Sequence, residues 1–95
     1  MDDKDLFISD LKDELEYRLS KYIGKLNNDT IKNYIMEDID DVFGKKYEYV
    51  IETGGTISTY ELKDLYECVE YKYDDVEIKK EDPVKENIRK VLDVL

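Results

Sequence analysis

Apolar residues recur along the first quarter of the chain at helical spacing. Leu11, Leu15, Leu19, Tyr22 and Leu26 lie at steps of four, four, three and four, and Ile8 extends the stripe backwards. This pattern predicts a helix over about residues 4–23. Asp2, Asp3 and Asp5 suit the positive end of its dipole, Lys21 and Lys25 suit the negative end, and Gly24 is a natural stop. Ile31, Ile35, Ile39 and Val42 form a second stripe, flanked by Tyr34 and Phe43. They predict a helix over about residues 30–43, capped by Asn28 or Asp29 and stopped at Gly44. The connector Leu26–Thr30 is short enough to fold the two into an antiparallel hairpin.

The period then changes. Tyr47, Tyr49 and Ile51 alternate with Glu48, Val50 and Glu52, and the residue types favour a strand over 47–53. Gly54-Gly55 is a turn signal, after which Thr56–Tyr60 could pair back with Tyr60 opposite Tyr49. Residues 58–70 support two readings. Ser58-x-x-Glu61 fits a capping box, and Leu62, Leu65, Tyr66 and Val69 follow at helical steps, which favours a helix over about 59–70. The strand-forming residues on either side keep a third strand open. Tyr71–Ile78 reads as a strand joining the one at 47–53, and Asp82-Pro83 opens a last helix with Val84, Ile88, Val91, Leu92 and Leu95 on its buried face. The expected fold class is therefore α+β: an N-terminal antiparallel helix pair, a small two- or three-stranded antiparallel sheet and a C-terminal helix. Element order is either helix, helix, strand, helix, strand, helix or a three-stranded meander between the helix pair and the last helix. Residues 1–95 form one domain, with no repeat, linker or low-complexity segment.

Composition changes this picture mainly through charge. Charged residues make up 42% of the chain, well above the roughly 25% of an ordinary domain. The periodic placement of the apolar residues still argues for a folded core under a densely charged surface. A net charge of −10 argues against direct contact with nucleic acid or anionic membrane, both polyanions, and favours a basic partner. No apolar run approaches the roughly 18 residues that span a bilayer. The acidic start, Met1-Asp2-Asp3-Lys4-Asp5, does not resemble a signal peptide. With the single cysteine Cys68, these features lead to the expectation of a cytoplasmic protein. Lys, Tyr, Asp, Asn and Ile are abundant while Ala is absent, a bias that fits an AT-rich genome such as that of a low-GC bacterium or its phage.

The acids are unevenly distributed. Between Glu37 and Glu77 stand thirteen of them against four lysines, a net −9 of the whole-chain −10. Glu37, Asp38, Asp40 and Asp41 fall opposite the apolar stripe of the second helix, where spacings of three and four gather Glu37, Asp40 and Asp41 into one patch. Acids near a helix C-terminus also oppose its dipole, a cost that suggests a use. If 59–70 is helical, Glu61, Asp64, Glu67 and Glu70 recur every third residue, rising ~4.5 Å per step. B-form DNA carries a phosphate about every 3.4 Å of axis on each strand, a comparable density. Tyr71, Tyr73, Asp74 and Asp75 continue the acidic, tyrosine-rich run. Nine tyrosines are many for this length. They serve either as an interface residue or as bulk for a small core.

These twelve residues (Glu37, Asp38, Asp40, Asp41, Glu61, Asp64, Glu67, Glu70, Tyr71, Tyr73, Asp74 and Asp75) are the candidate partner-binding set. No catalytic set emerges. The chain has no histidine, which removes the commonest general base and the imidazole metal ligand. Asp38-x-Asp40-x-Val42 fails the third ligand of a calcium loop, and Gly54-Gly55 lacks phosphate-loop spacing. No enzyme activity, metal or cofactor is expected. In size, acidity and compositional bias the chain resembles phage-encoded DNA mimics, including anti-CRISPR and anti-restriction proteins, although no alignable motif carries the likeness. The resemblance implies an inhibitor that occupies the basic, nucleic-acid-binding surface of a partner protein. In a phage-encoded case that partner would be in the bacterial host's cytoplasm. The alternative is a non-catalytic adaptor or phage structural or regulatory module whose acidity serves only solubility.

Overall fold

Ile31, Ile35, Ile39, Phe43 and Val50 lie at steps of four, four, four and seven, and all five are buried. One uninterrupted helix places them on one face. A computed structural model describes residues 2–55 and 57–95. It contains four helices in chain order: α1 (Asp3–Ser20), α2 (Asn28–Thr53), α3 (Thr59–Asp74) and α4 (Val84–Val94). No strand occurs among the described residues. The fold is all-α, and the expected α+β class with its antiparallel sheet is wrong.

The error lies between residues 44 and 78 and has a physical cause. In α2 the position one turn beyond Phe43 is Lys46, whose charge hides the helical period. Its ammonium sits 5.9 Å from the Phe7 ring centroid and 5.0 Å from that of Tyr49, so its stem covers the apolar stripe. Gly44 lies on the exposed side of the helix and needs no left-handed backbone there, so it does not stop it. The helix ends instead at Gly54, at φ +67, whose N–H donates to the Val50 carbonyl. The residues read as a 47–53 strand are thus the last two turns of α2, and strand propensity yields to burial of Val50. The proposed second strand cannot form either. Thr56 lies outside the described residues, and Thr59 and Tyr60 already belong to α3. Tyr71–Asp74 continue α3, because Tyr73 extends its buried stripe of Leu62 and Val69 by a further turn. Residues 76–79 are irregular, with Val76 buried and no strand beside them.

Local signals at the helix starts are legible with small shifts. Asp2 caps α1, accepting from the Asp5 N–H at 2.9 Å. Asn27, rather than Asn28 or Asp29, caps α2, accepting from the N–H groups of Asp29 and Thr30. Ser58 caps α3 through the Glu61 N–H, as its capping-box spacing predicts. Pro83 precedes α4 without a side-chain cap, and Asp82 instead pairs with Lys90 at 2.8 Å.

α2, ~39 Å long at 1.5 Å per residue, spans most of the 44 Å long axis. α1 packs antiparallel to it, with Phe7 beside Phe43 and Tyr22 beside Tyr34. α3 runs antiparallel on its other side, with Tyr66 against Phe43 and the Tyr73 hydroxyl donating to the Lys32 carbonyl. α4 docks against all three. Leu11, Leu15, Leu19, Ile31, Ile35, Ile39 and Val91 have almost no exposed surface and form the centre of the core. No helix among the described residues is long and apolar enough to cross a membrane.

Candidate functional site

α2 is the central helix, so acids on its flanks meet α1 on one side and α3 on the other. Arg18 of α1 takes the first group. Its guanidinium donates to Asp41 at 2.5 Å and to Glu14 at 2.9 Å, and lies 3.6 Å from Asp38; Lys45 adds a contact to Asp41 at 3.3 Å. These bonds, that to Arg18 first, hold the Asp41 carboxyl below the usual carboxylate range. They also hold Arg18 charged, above its already high ordinary value. Asp38 further accepts from the Tyr22 hydroxyl at 2.6 Å. On the opposite flank Asp40 accepts from the Tyr66 hydroxyl of α3 at 2.5 Å.

The predicted patch of Glu37, Asp40 and Asp41 is therefore divided. All three remain exposed, but Asp40 and Asp41 stitch the helices together, and Glu37 alone makes no side-chain bond among the described residues. The dipole cost argued for this patch also disappears. α2 continues to Thr53, so these acids sit in mid-helix.

The phenols that serve as donors hold their protons tightly. Burial, then the bond to Asp38, pushes Tyr22 up to about 12. The bond to Asp40, then burial, raises Tyr66; burial, then the charge of Asp74, raises Tyr73. In each case the folded value exceeds the ordinary 10.0 of the unfolded chain. Their contribution to stability is complete below about pH 10 and is lost as pH rises through the folded values. The melting temperature should fall progressively above pH 10, and Tyr22→Phe together with Tyr66→Phe should flatten that fall. Ultraviolet tyrosinate absorbance checks this directly. Ionisation of all nine tyrosines in one step at the ordinary value would contradict it.

α3 carries the second group of acids. Leu62, Leu65, Tyr66, Val69 and Tyr73 face the core. On the opposite side Tyr60, Asp64, Glu67, Tyr71 and Asp74 fall at steps of four, three, four and three, and all five are exposed. This is one straight stripe along the helix. Tyr60 and Tyr71 are 83% and 78% exposed, more than any other large apolar or aromatic side chain among the described residues. The expected every-third-residue row does not form one exposed stripe. Glu61 and Glu70 wind off to opposite edges of α3 and are half-buried, leaving Asp64 and Glu67 on the outer face. Asp64, Glu67 and Asp74 span ~15 Å, sparser than the phosphates of a DNA strand at about 3.4 Å each.

Asp75, exposed with Glu77, lies just beyond the helix. Tyr73 leaves the candidate surface altogether, since it is buried. Tyr60 joins it; the four-three-four-three spacing would have shown it once α3 was extended to Asp74. Six tyrosines (Tyr17, Tyr34, Tyr47, Tyr49, Tyr60 and Tyr71) are exposed, so core bulk accounts for few of the nine.

Of the thirteen acids between 37 and 77, only Asp38 and Asp41 form ion pairs among the described residues. A groove of about 750 Å³ between α1 and α4 is electrically mixed by contrast: Lys12, Lys85 and Arg89 line it together with Asp5, Asp13, Glu16 and Asp93. A smaller cleft, about 440 Å³ between α2 and α3, is mainly aromatic. No protein-family model, curated protein or solved structure matches this chain. Among the described residues no group of three or more His, Cys, Asp or Glu side chains is placed to hold a metal ion.

Proposed function

We propose that this chain is an acidic protein-binding inhibitor that occupies the basic, nucleic-acid-binding surface of a partner. The observation that supports this reading is the outer face of α3, where Tyr60, Asp64, Glu67, Tyr71 and Asp74 form one exposed stripe without an internal ion pair. Three unpaired carboxylates on a rigid helix attract lysine and arginine side chains, and two exposed tyrosines add contact area at little entropic cost. The carboxylates are sparser than DNA phosphates, so the tyrosines supply the contacts that a true polyanion would not. Counter-defence against a bacterial nuclease or restriction system is the role that the compositional resemblance suggests for such a surface.

The test uses the immobilised chain and nuclease-treated bacterial lysate. A nucleic-acid-binding protein should be retained, and added duplex DNA should release it. Asp64→Asn, Glu67→Gln and Asp74→Asn combined should weaken retention about 10- to 100-fold, taking three exposed ion pairs at up to about 1 kcal/mol each. The circular dichroism spectrum should not change. Rising salt should weaken the wild-type complex within the same range. Undiminished retention of the triple variant would remove the proposal.

A second reading, an adaptor, is favoured by one observation. The last turns of α2 expose Tyr47, Tyr49 and Ile51. A partner held there would be indifferent to the triple change and to salt.

A further inference from the structure

The cleft between α2 and α3 is built differently from the acidic stripe beside it. Tyr47, Tyr60 and Tyr66 line it, over the buried side chains of Phe43 and Leu62. Tyr60 is largely uncovered and Tyr47 about half so, and aromatic surface stands open to solvent on both helices. Gly44 lines the cleft, and a side chain there has room to enter it. A Cβ at that position would meet nothing within 4 Å. Asp40 also lines it, fixed by the Tyr66 hydroxyl on Oδ1, while its Oδ2 accepts no hydrogen bond from the described residues.

We propose that this cleft receives one arginine side chain of the basic partner, with the guanidinium stacked between tyrosine rings and donating to the free oxygen of Asp40. This rests on the reading of the chain as a binder of basic surfaces, and it names the side chain that such a surface must supply. Arginine is selected over lysine for geometric reasons. A guanidinium is planar, sheds water readily, stacks on aromatic faces and still presents N–H donors at its edge. An ammonium is a compact, strongly hydrated charge that gains less from the tyrosine walls. An uncharged occupant would leave Asp40 unanswered. An anionic one would face the field of a segment carrying −9. One group opposes the arginine. Lys63 lines the cleft, and its ammonium repels an incoming cation.

The probes are labelled peptides of alternating arginine and alanine, the same peptide with lysine for arginine, and one with glutamate. Anisotropy titrations at low salt are paired with amide spectra of the isotope-labelled chain. The arginine peptide should bind about fivefold or more tighter than the lysine peptide. It should also shift the amides of Gly44, Tyr47 and Lys63. Gly44→Met fills the cleft while replacing glycine by a better helix former, so the variant should melt no lower than the wild type. It should bring the arginine-to-lysine ratio to about one and leave a residual affinity common to both peptides. Lys63→Gln should strengthen arginine binding about two- to fivefold.

Equal affinities in the wild type, a ratio unmoved by Gly44→Met, or displacement of the same amides by the glutamate peptide would overturn the proposal. The carboxylate triple variant separates the two ideas. It should lower affinity for both basic peptides and preserve their ratio. Loss of the ratio alone refutes the arginine cleft, and failure of the triple variant to weaken either peptide refutes the acidic stripe.

Discussion

Replacing Phe43 with alanine should cost about 3–5 kcal/mol of folding stability, the usual range for removing a buried aromatic ring. Phe43 is the point at which three helices meet. Its ring lies 5.1 Å from that of Phe7 in α1 and 5.3 Å from that of Tyr66 in α3, edge to face in both cases. Each such pair adds about 0.5–1.5 kcal/mol to simple burial, and no neighbour can close the gap without withdrawing from α1 or α3. Urea denaturation should show a much lower midpoint with an unchanged slope, since the surface exposed on unfolding is the same. Against the 5–15 kcal/mol typical of a whole domain, the loss should lower the melting temperature by roughly 15–30 °C. Phe43→Leu, which keeps most of the volume, should cost about 1.5 kcal/mol or less. If the alanine variant lost under about 1 kcal/mol, the helices would not be clamped at this ring.

Asn87→Ala should be the next most damaging change, at about 2–4 kcal/mol. Asn87 is the one fully buried polar side chain among the described residues. Its amide donates at 2.9 Å both to Asn28 at the start of α2 and to the Lys79 carbonyl in the connector between α3 and α4. Asn28 in turn donates to the carbonyls of Asp82 at 2.6 Å and Lys80 at 3.2 Å, and Lys90 holds the Asp82 carboxylate. Residues 76–82 have no sheet or helix to satisfy their backbone, and these side chains take its place. Removing Asn87 leaves two part-buried acceptors, Asn28 Oδ1 and the Lys79 carbonyl, without its amide. Hydrogen exchange should show the connector opening well before the core. Asn28→Ala, at a more exposed point, should cost about half as much, and the two changes should be non-additive by about 1 kcal/mol because they share one network. A neutral Asn87→Ala would mean that packing alone holds the connector.

Neither asparagine stands out in the sequence. Asn27-Asn28-Asp29 reads as a cap and turn, and Asn87 falls inside an ordinary helical pattern. A buried asparagine is recognisable only when its partners, some sixty positions away in the chain, are brought to it. The Arg18 cluster is hidden in the same way. The periodicity puts Asp38 and Asp41 off the apolar face of α2 and Arg18 off that of α1, which reads as two solvated surfaces. The antiparallel packing of the two helices turns both into one interface. Two of the four acids predicted for that flank of α2, Asp38 and Asp41, were thereby drawn into internal pairing, while the stripe on α3 kept its exposure.

The chain by its own spacing determined α1, the start of α2, the capped start of α3, the existence of α4 and the concentration of negative charge after residue 36. Each depends on neighbours within one or two helical turns, so local periodicity and capping chemistry suffice. Whether residues 47–53 and 71–74 would be strand or helix was decided only in the folded molecule. Their β-branched and aromatic residues favour extended backbone, but continuing the helices buries Val50 and Tyr73 against the core that α1 and α4 complete. Burial outweighs strand propensities that differ by only about 1 kcal/mol. The same continuation fixed which tyrosines and carboxylates share the outer face of α3, because a face exists only once the length and direction of its helix are set.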